Sequence, residues 1–355
     1  MKKETVSPEL ALYWSKVSGK RWILAGLGTA LILLMIAASG AGASSVGLSD
    51  VLTVFGDVLS GTRNATAVQH SIVLQTRLPR IVCAVLAGGA LSLAGLLMQG
   101  VFRNPLVSPY TLGISNGASF GASLAIVLGY QISGFVGVDW LTPALAFVSA
   151  LVAMMAVYAI ARAAGQSTRT LVLTGVAVGY LFSALVSALK YLADVSQLPE
   201  LVFWTMGSMT GLDWTVAAIL ATVMAVSVVV SLIFAWDLNV MALGREEAAA
   251  LGVCYNRLQI LAFFMAAVLT ASTVSFTGVI GFVGLVAPHM TRMFLGSDYR
   301  YNVPGAALLG GFLLLLADTL ARTVAAPTEL PVGIITSLIG VPFYLYLIVR
   351  RRRVA

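Results

Sequence analysis

Ile81-Val82-Cys83-Ala84-Val85-Leu86-Ala87-Gly88-Gly89-Ala90-Leu91-Ser92-Leu93-Ala94-Gly95-Leu96-Leu97-Met98-Gln99-Gly100-Val101-Phe102 is a run of 22 residues without a charge. As a helix it would be about 33 Å long, a little more than the hydrocarbon thickness of a bilayer. Gly88, Gly89 and Gly95 would weaken such a helix in water, but in lipid they let a neighbouring backbone approach closely. The same reading extends along the chain. Trp22–Ser49, Asn104–Val138, Trp140–Ala161, Thr170–Leu189, Trp214–Trp236, Leu258–Thr291, Tyr301–Ala317 and Leu330–Val349 are equally free of charge. Asn104–Val138 opens on Pro105 and Pro109 and holds Gly113, Gly117 and Gly121. It reads as a loop followed by one short helix from about Leu112 to Tyr130. Leu258–Thr291 is too long for one crossing and splits near Ser275–Gly278. The expectation is an all-α polytopic membrane protein, a single domain over residues 1–355 with ten transmembrane helices.

Composition agrees. Hydrophobic residues make up 59% of the 355 and charged residues 10%, with a mean hydropathy of +0.96. A soluble domain carries about 25% charged residues, so this chain could not cover its surface with polar groups. Its 21 Lys and Arg are too dispersed for a nucleic-acid patch. Cys83 and Cys254 lie far apart in apolar surroundings, which suggests neither a disulfide framework nor a metal cluster. No zinc-ligand spacing occurs, and no cofactor or metal is implied.

Lys and Arg also orient the chain. With ten spans and a cytoplasmic N-terminus, sixteen cations fall inside, from Lys2, Lys3, Lys16, Lys20 and Arg21 to Arg350–Arg353. Only Arg63, Arg77, Arg80, Lys190 and Arg322 fall outside. Both termini are then cytoplasmic, with a tail at 1–21, an inner loop at 238–257 and a basic tail at 350–355. The small-residue run Ala37–Ala43 after the first span resembles a signal-peptide cleavage region. Cleavage there would leave nine spans and put one end on the wrong side.

The inner loop contains Leu243-Gly244-Arg245-Glu246-Glu247-Ala248-Ala249-Ala250-Leu251-Gly252. Glu246 and Glu247 suit the positive N-terminal end of a short helix, and Gly252 suits its stop. A small Ala-rich helix under the membrane is either a solvated connector or a surface for docking into a partner's groove.

That decapeptide resembles the coupling-helix loop of ABC importer permeases of the FecCD type, which import iron-siderophores, haem and vitamin B12. Further segments match the family in order: Arg77-Leu78-Pro79-Arg80, Gly95–Gly100 with Arg103-Asn104-Pro105-Leu106, Leu112–Ala118, Gly278–His289 and Glu329–Gly333. The resemblance runs from about Trp22 to Arg350. It implies a type II ABC importer permease fold in the cell inner membrane. It also implies a homodimer, or a pair with a paralogue, two ABC ATPase subunits below, and a periplasmic or lipid-anchored binding protein above. The sequence has no G-x-x-x-x-G-K-[ST] phosphate loop, so this chain is not expected to be an ATPase itself.

The resemblance assigns roles to residues. Leu243, Gly244, Arg245, Glu246, Glu247, Ala248, Leu251 and Gly252 would couple to the ATPase. Arg77 and Arg322, with Arg63 and Arg80 beside them, would dock the binding protein through carboxylates. The alternative for these arginines is interfacial snorkelling or an internal pair, such as Arg322 with Asp318 one turn earlier. Gln166, Ser167 and Thr168 fall at the family's cytoplasmic gate, although Ser167 or Thr168 would also serve as a helix N-cap. The pathway would be lined by about Thr170–Leu189 and Pro331–Val349. Asp318 and Glu329 read as structural partners of Arg322, Lys190 as a partner of Asp194, and His70 as solvent-exposed. His289, next to Pro288, reads as a bond to a freed carbonyl. The expected cargo is an iron(III)-siderophore or similar metal chelate, with haem and cobalamin as alternatives. An ion-coupled secondary transporter should show intramembrane charges at a midplane site. An intramembrane enzyme should show a convergent nucleophile, acid pair or metal site. Neither pattern is visible in the sequence.

Overall fold

The computed structural model describes residues 8–42, 46–105, 107–132, 138–165 and 168–351, and every regular element among them is helical. α1 runs Pro8–Gly40, so the stretch expected as a tail at 1–21 is helical from Pro8 onward. Proline suits a first helical position, and no further breaker intervenes before Gly19. α2 (Leu48–Ser60) falls mostly between the charge-free stretches Trp22–Ser49 and Ile81–Phe102, where the sequence marks no helix. It is fixed at one end by Gly47 N donating to the Asp50 carboxylate at 2.8 Å and ended by Gly61 at φ +69°. α3 (Ala67–Ser71) starts on Thr66, which caps it reciprocally with Gln69. A π-helical turn, Ile72–Arg77, then joins it to α4 (Leu78–Val101). The quoted apolar run is therefore the inner part of a longer helical path, Ala67–Val101.

A 3-10 turn, Pro109–Leu112, and Gly113 at φ +78° precede α5 (Ile114–Ile132), two residues beyond the predicted start. α6 (Val138–Ala163) and α7 (Thr168–Leu192) follow. α8 (Leu198–Met206) is a second short helix between the charge-free stretches Thr170–Leu189 and Trp214–Trp236. α9 (Trp214–Ile233) begins at Asp213, whose carboxylate accepts from Val216 N at 2.9 Å. α10 (Ala235–Met241) and α11 (Arg245–Ala250) form the connector to α12 (Tyr255–Thr277). α13 (Val283–Leu295), α14 (Tyr299–Thr323) and α15 (Val332–Arg351) complete the chain, so the basic tail expected from 350 is still helical at Arg351.

Among the described residues, seven helical paths are long and apolar enough to cross a membrane, and two shorter apolar ones lie within α5 and α15. The second half of the stretch that the sequence splits near Ser275–Gly278 is α13, with 13 residues. The break between α12 and α13 falls where the sequence placed it. Gly278 takes φ +66°, and Phe282 takes the same angle without being glycine. Ile280 N donates to Tyr110 Oη at 3.2 Å and Ser208 N to Thr277 O at 2.8 Å, which holds the chain there in a conformation side chains rarely adopt.

The molecule is built around α4. In its path 83% of the most apolar window is buried, against 17% for α1. Leu33 of α1, Val152 of α6 and Ile233 of α9 are exposed, the pattern of an apolar surface facing lipid. Glycine sets the closest approaches. A β-carbon on Gly88 would strike the Gly310 carbonyl of α14, and one on Gly310 would strike Gly88 O. One on Gly95 would strike the Gly284 carbonyl of α13. Pro288, four residues on from Gly284, has no N–H to bind that carbonyl, so the carbonyl is free to turn toward α4. Packing is thus the role of Gly88 and Gly95, whereas Gly278 serves the turn and a β-carbon on Gly281 would meet nothing within 4 Å.

Candidate functional site

Two ends of the helix array carry the polar chemistry. At one, Gly244 (φ +147°) opens α11, and a β-carbon there would meet the Glu247 carboxylate and lie 3.3 Å from Arg103 Nη1. Glu246 and Glu247 occupy the first turn, where their charge complements the free N–H groups. At the other end of α11, Gly252 N donates to Ala249 O (3.1 Å) and Val253 N to Ala248 O (2.9 Å), with Gly252 at φ +78°. This is a Schellman stop. The stop expected at Gly252 is where the chain turns, and the helix itself ends at Ala250.

Ala248 is fully buried and seats the helix. Arg245 donates to Asn256 Oδ1 at 2.8 Å and lies over the Tyr255 ring, while Tyr255 Oη donates to Val101 O at 3.3 Å. Arg245 therefore anchors to α12. Leu243 and Leu251 are exposed on either side of exposed Glu246 and Glu247, so the elbow shows two apolar knobs around an acidic pair. An open hollow of about 470 Å³ beside it is lined in part by Arg245, Ala249, Tyr255 and Arg257.

Behind the elbow, Asn239 of α10 donates to Asp298 Oδ1 at 3.0 Å and accepts from Tyr299 N at 2.9 Å. Burial pushes the Asp298 carboxyl up, but hydrogen bonds from Arg300 and Asn239 outweigh it and hold it at about 2. Lys20 lies 5.0 Å from the centre of the Tyr301 ring, which places the inner part of α1 at this same end.

At the opposite end three arginines turn inward. Arg80 Nη2 donates to Asp318 Oδ1 at 2.8 Å and Nη1 to Glu329 Oε2 at 2.7 Å. Arg322 Nε lies 3.2 Å from Asp318 Oδ2, an ion pair without hydrogen-bond alignment. Its Nη1 donates to Ala41 O at 3.0 Å, and Arg77 Nη1 donates to Ser39 O (2.6 Å) and Val46 O (2.9 Å). Three guanidinium groups thus face two carboxylates, the Ala38 and Ser39 carbonyls at the end of α1, and Ala41 O and Val46 O just beyond it. The two carbonyls at the helix end carry the negative end of the helix dipole and offset the extra cation. Glu329 is half-exposed and also accepts from Thr210 Oγ1 at 3.2 Å. Burial raises its pKa, but the Arg80 hydrogen bond prevails and the net shift is downward.

Arg77, Arg80 and Arg322 are 5%, 8% and 3% exposed. In this conformation they present no guanidinium to a docking partner, because all three are buried and turned inward. The internal Arg322–Asp318 pair left open in the sequence is the one that forms, whereas Glu329 pairs with Arg80. Lys190 and Asp194 do not pair, and His70 is half-buried at 3.3 Å from Asp57. Arg63 alone of the four docking candidates is exposed. Its loop is organised by Asp57, a buried residue with no assigned role in the sequence. The Asp57 carboxylate accepts from Thr62 Oγ1 (2.6 Å), Asn64 N (2.8 Å) and Ala65 N (2.7 Å). Led by the Thr62 bond, these hold its carboxyl well below the usual range.

Gln166 and Ser167 lie outside the described residues, and Thr168 is the first residue of α7. No group of three potential metal ligands occurs among the described residues. Asn239 and Asp298, like Asp57 and Asn64, carry structural duties that sequence reading missed, because no residue-type pattern marks a neutral amide that meets a partner 59 residues away.

The model of the FecCD transport family matches residues 30–350. The Hemin transport system permease protein HmuU of Yersinia pestis is 39% identical over 92% of this chain and 96% of its own length. The Cobalamin import system permease protein BtuC of Halobacterium salinarum is 44% identical over 78% of this chain and 73% of its own. A solved structure described as a metal-chelate type ABC transporter in an inward-facing conformation is 32% identical. It covers 93% of this chain and 99% of its own, with a TM-score of 0.80.

Proposed function

The chain belongs to the FecCD transport family, and on that footing we propose that it is the membrane-spanning subunit of an ATP-binding-cassette importer for an iron(III)-siderophore or a similar metal chelate. It is a multi-pass protein of the inner membrane without an ATPase site of its own. α5, α13 and α15 join the seven long helical paths to make ten crossings, with both termini in the cytoplasm. Two copies face each other across a pathway lined by α7 and α15. Gln166, Ser167 and Thr168 close its inner mouth.

The observation that carries this reading is the α11 elbow. Leu243, Glu246, Glu247 and Leu251 project from it, while Arg245, Ala248, Gly244 and Gly252 fix its shape. A rigid protrusion of this kind suits insertion into a cleft of an ATPase subunit, whose closure then displaces the helices behind it. At the opposite end a substrate-binding protein docks on the surface around Arg63, with the Arg77, Arg80 and Arg322 cluster as the frame beneath. Asp318, the one fully buried carboxylate within a long span among the described residues, is matched by two arginines, so it is not placed as an ion carrier. That weighs against a secondary transporter.

The test is uptake of an iron(III)-hydroxamate into vesicles holding this chain with or without its ATPase partner. Uptake that needs the partner and ATP is expected. Accumulation by the chain alone, or accumulation abolished by an ionophore but not by ATP depletion, overturns the proposal. Uptake of haemin or cobalamin in place of the hydroxamate changes the cargo and keeps the transporter.

A further inference from the structure

The connector that bears α11 is held to the helix array mainly by apolar side chains. Leu238, Val240 and Met241 of α10 are buried, and such contacts are non-directional, so they permit sliding. Asn239 is different. Its Nδ2 donates to Asp298 Oδ1 and its Oδ1 accepts from Tyr299 N, so one amide grips two consecutive residues in a fixed orientation. Asp298 is also the cap of α14, accepting from Arg300 N at 3.0 Å. Tyr299, the first residue of α14, is 3% exposed, and its hydroxyl fills the space that a side chain at Gly100 of α4 would need. The grip on α10 is therefore passed to α14 directly and to α4 by contact.

Those two helices move together or not at all. Gly88 and Gly310 each stand against the other's carbonyl, with Gly311 against Val85 and Gly89 against Ala307. Packing this close leaves no room for one backbone to shift along the other. At the far end of the same pair, Arg80 of α4 holds Asp318 of α14, and Arg322 of α14 reaches the end of α1.

We propose that Asn239 is a positioning residue that clamps the α11-bearing connector to α14, so that a displacement of α11 is delivered through the α4–α14 pair, as one body, to the Arg80–Asp318–Arg322 cluster. This rests on the reading of α11 as the ATPase contact and extends it to the route by which the contact is felt. Mere support of the fold is separable from transmission by exchanging the partners. Asn239→Asp sets a carboxylate against Asp298. Asn239→Asp combined with Asp298→Asn restores one donor and one acceptor in reversed order, and asparagine caps a helix as well as aspartate.

The experiment uses this chain co-purified with its ATPase subunit in vesicles, in a Cys254→Ser background. A spin label on Thr323→Cys, at the exposed end of α14, reports the distance between the two copies with and without vanadate-trapped ATP. Cys83 is buried and stays unlabelled. In the parent, trapping is expected to shift the distance. In Asn239→Asp the shift is lost while the ATPase remains bound, and in the exchanged pair it returns. A parent without a shift, an undiminished shift in Asn239→Asp, or an exchanged pair that fails to recover it each overturns the proposal. Failure of the parent chain to retain any ATPase subunit overturns instead the coupling assignment beneath it.

Discussion

The two polar ends of this chain are held by different physics. At the α11 end the clamp is a neutral amide on a carboxylate and a backbone N–H, and the projecting residues are exposed. At the Arg80 end, formal charges are buried among helices and satisfied by one another and by the carbonyls that end α1. A buried ion cluster tolerates little change, because removing one member leaves the others charged and unmatched. An exposed elbow tolerates much change in its outward side chains, because water replaces whatever is lost. Rigidity at one end and accessibility at the other suit a body moved from outside itself.

Breaking the charged end should have the largest effect. Asp318→Ala leaves Arg80 and Arg322 without their shared carboxylate and should cost about 3–5 kcal/mol, read as a fall in the detergent melting midpoint or as loss of folded protein. Replacing Arg80, Asp318 and Arg322 together by apolar residues should recover most of that loss. If the triple replacement is no better than Asp318→Ala, the loss does not come from leaving the two arginines unmatched. Next comes the helix crossing between the two ends. Gly95→Ala drives a methyl into the Gly284 carbonyl and should cost about 1–3 kcal/mol through forced separation of α4 and α13. An unchanged melting midpoint would show that the crossing is looser than described.

How much of this was legible depends on distance along the chain. The elbow is contiguous, so Gly244, Glu246, Glu247 and Gly252 state its start, its charge and its stop within one short stretch. The break at Gly278 was legible for the same reason. Arg80 meets Asp318 and Glu329 across 238 and 249 residues, and no local pattern says that these arginines turn inward. The family resemblance suggested docking for them, whereas the fold sets Arg80 and Arg322 on Asp318, Arg80 on Glu329, and Arg77 and Arg322 on carbonyls at and just beyond the end of α1. α2 and α8 were missed because charge-free gaps reveal spans and not short helices lying between them. Asp57 was missed because its partners are mostly backbone N–H groups, which every residue has.

A smaller, local effect is expected at Asp57. Asp57→Ala should loosen the Arg63 loop, seen as faster amide exchange at Asn64 and Ala65 with the melting of the helix array unchanged. The Asp57 carboxyl is lowered in the fold, so its contribution is complete above the unfolded value of about 4 and fades only as pH falls below it. The protection of those amides, corrected for the intrinsic pH dependence of exchange, should accordingly be unchanged from neutral pH down to that point, and protection lost well above it would contradict the role of Asp57. The smallest effect on stability belongs to Glu246→Lys with Glu247→Lys, which should shift the folding free energy by no more than about 0.5 kcal/mol. The same pair should abolish co-purification of the ATPase subunit.

The most direct measurement is a cross-link from the elbow itself. With Cys254→Ser and Ala249→Cys, a short thiol cross-linker applied to the assembled transporter should join this chain to its ATPase subunit, more strongly when ATP is trapped. Failure to reach that subunit, or reaction of Ala249→Cys only with reagents added outside the cell, would contradict the account.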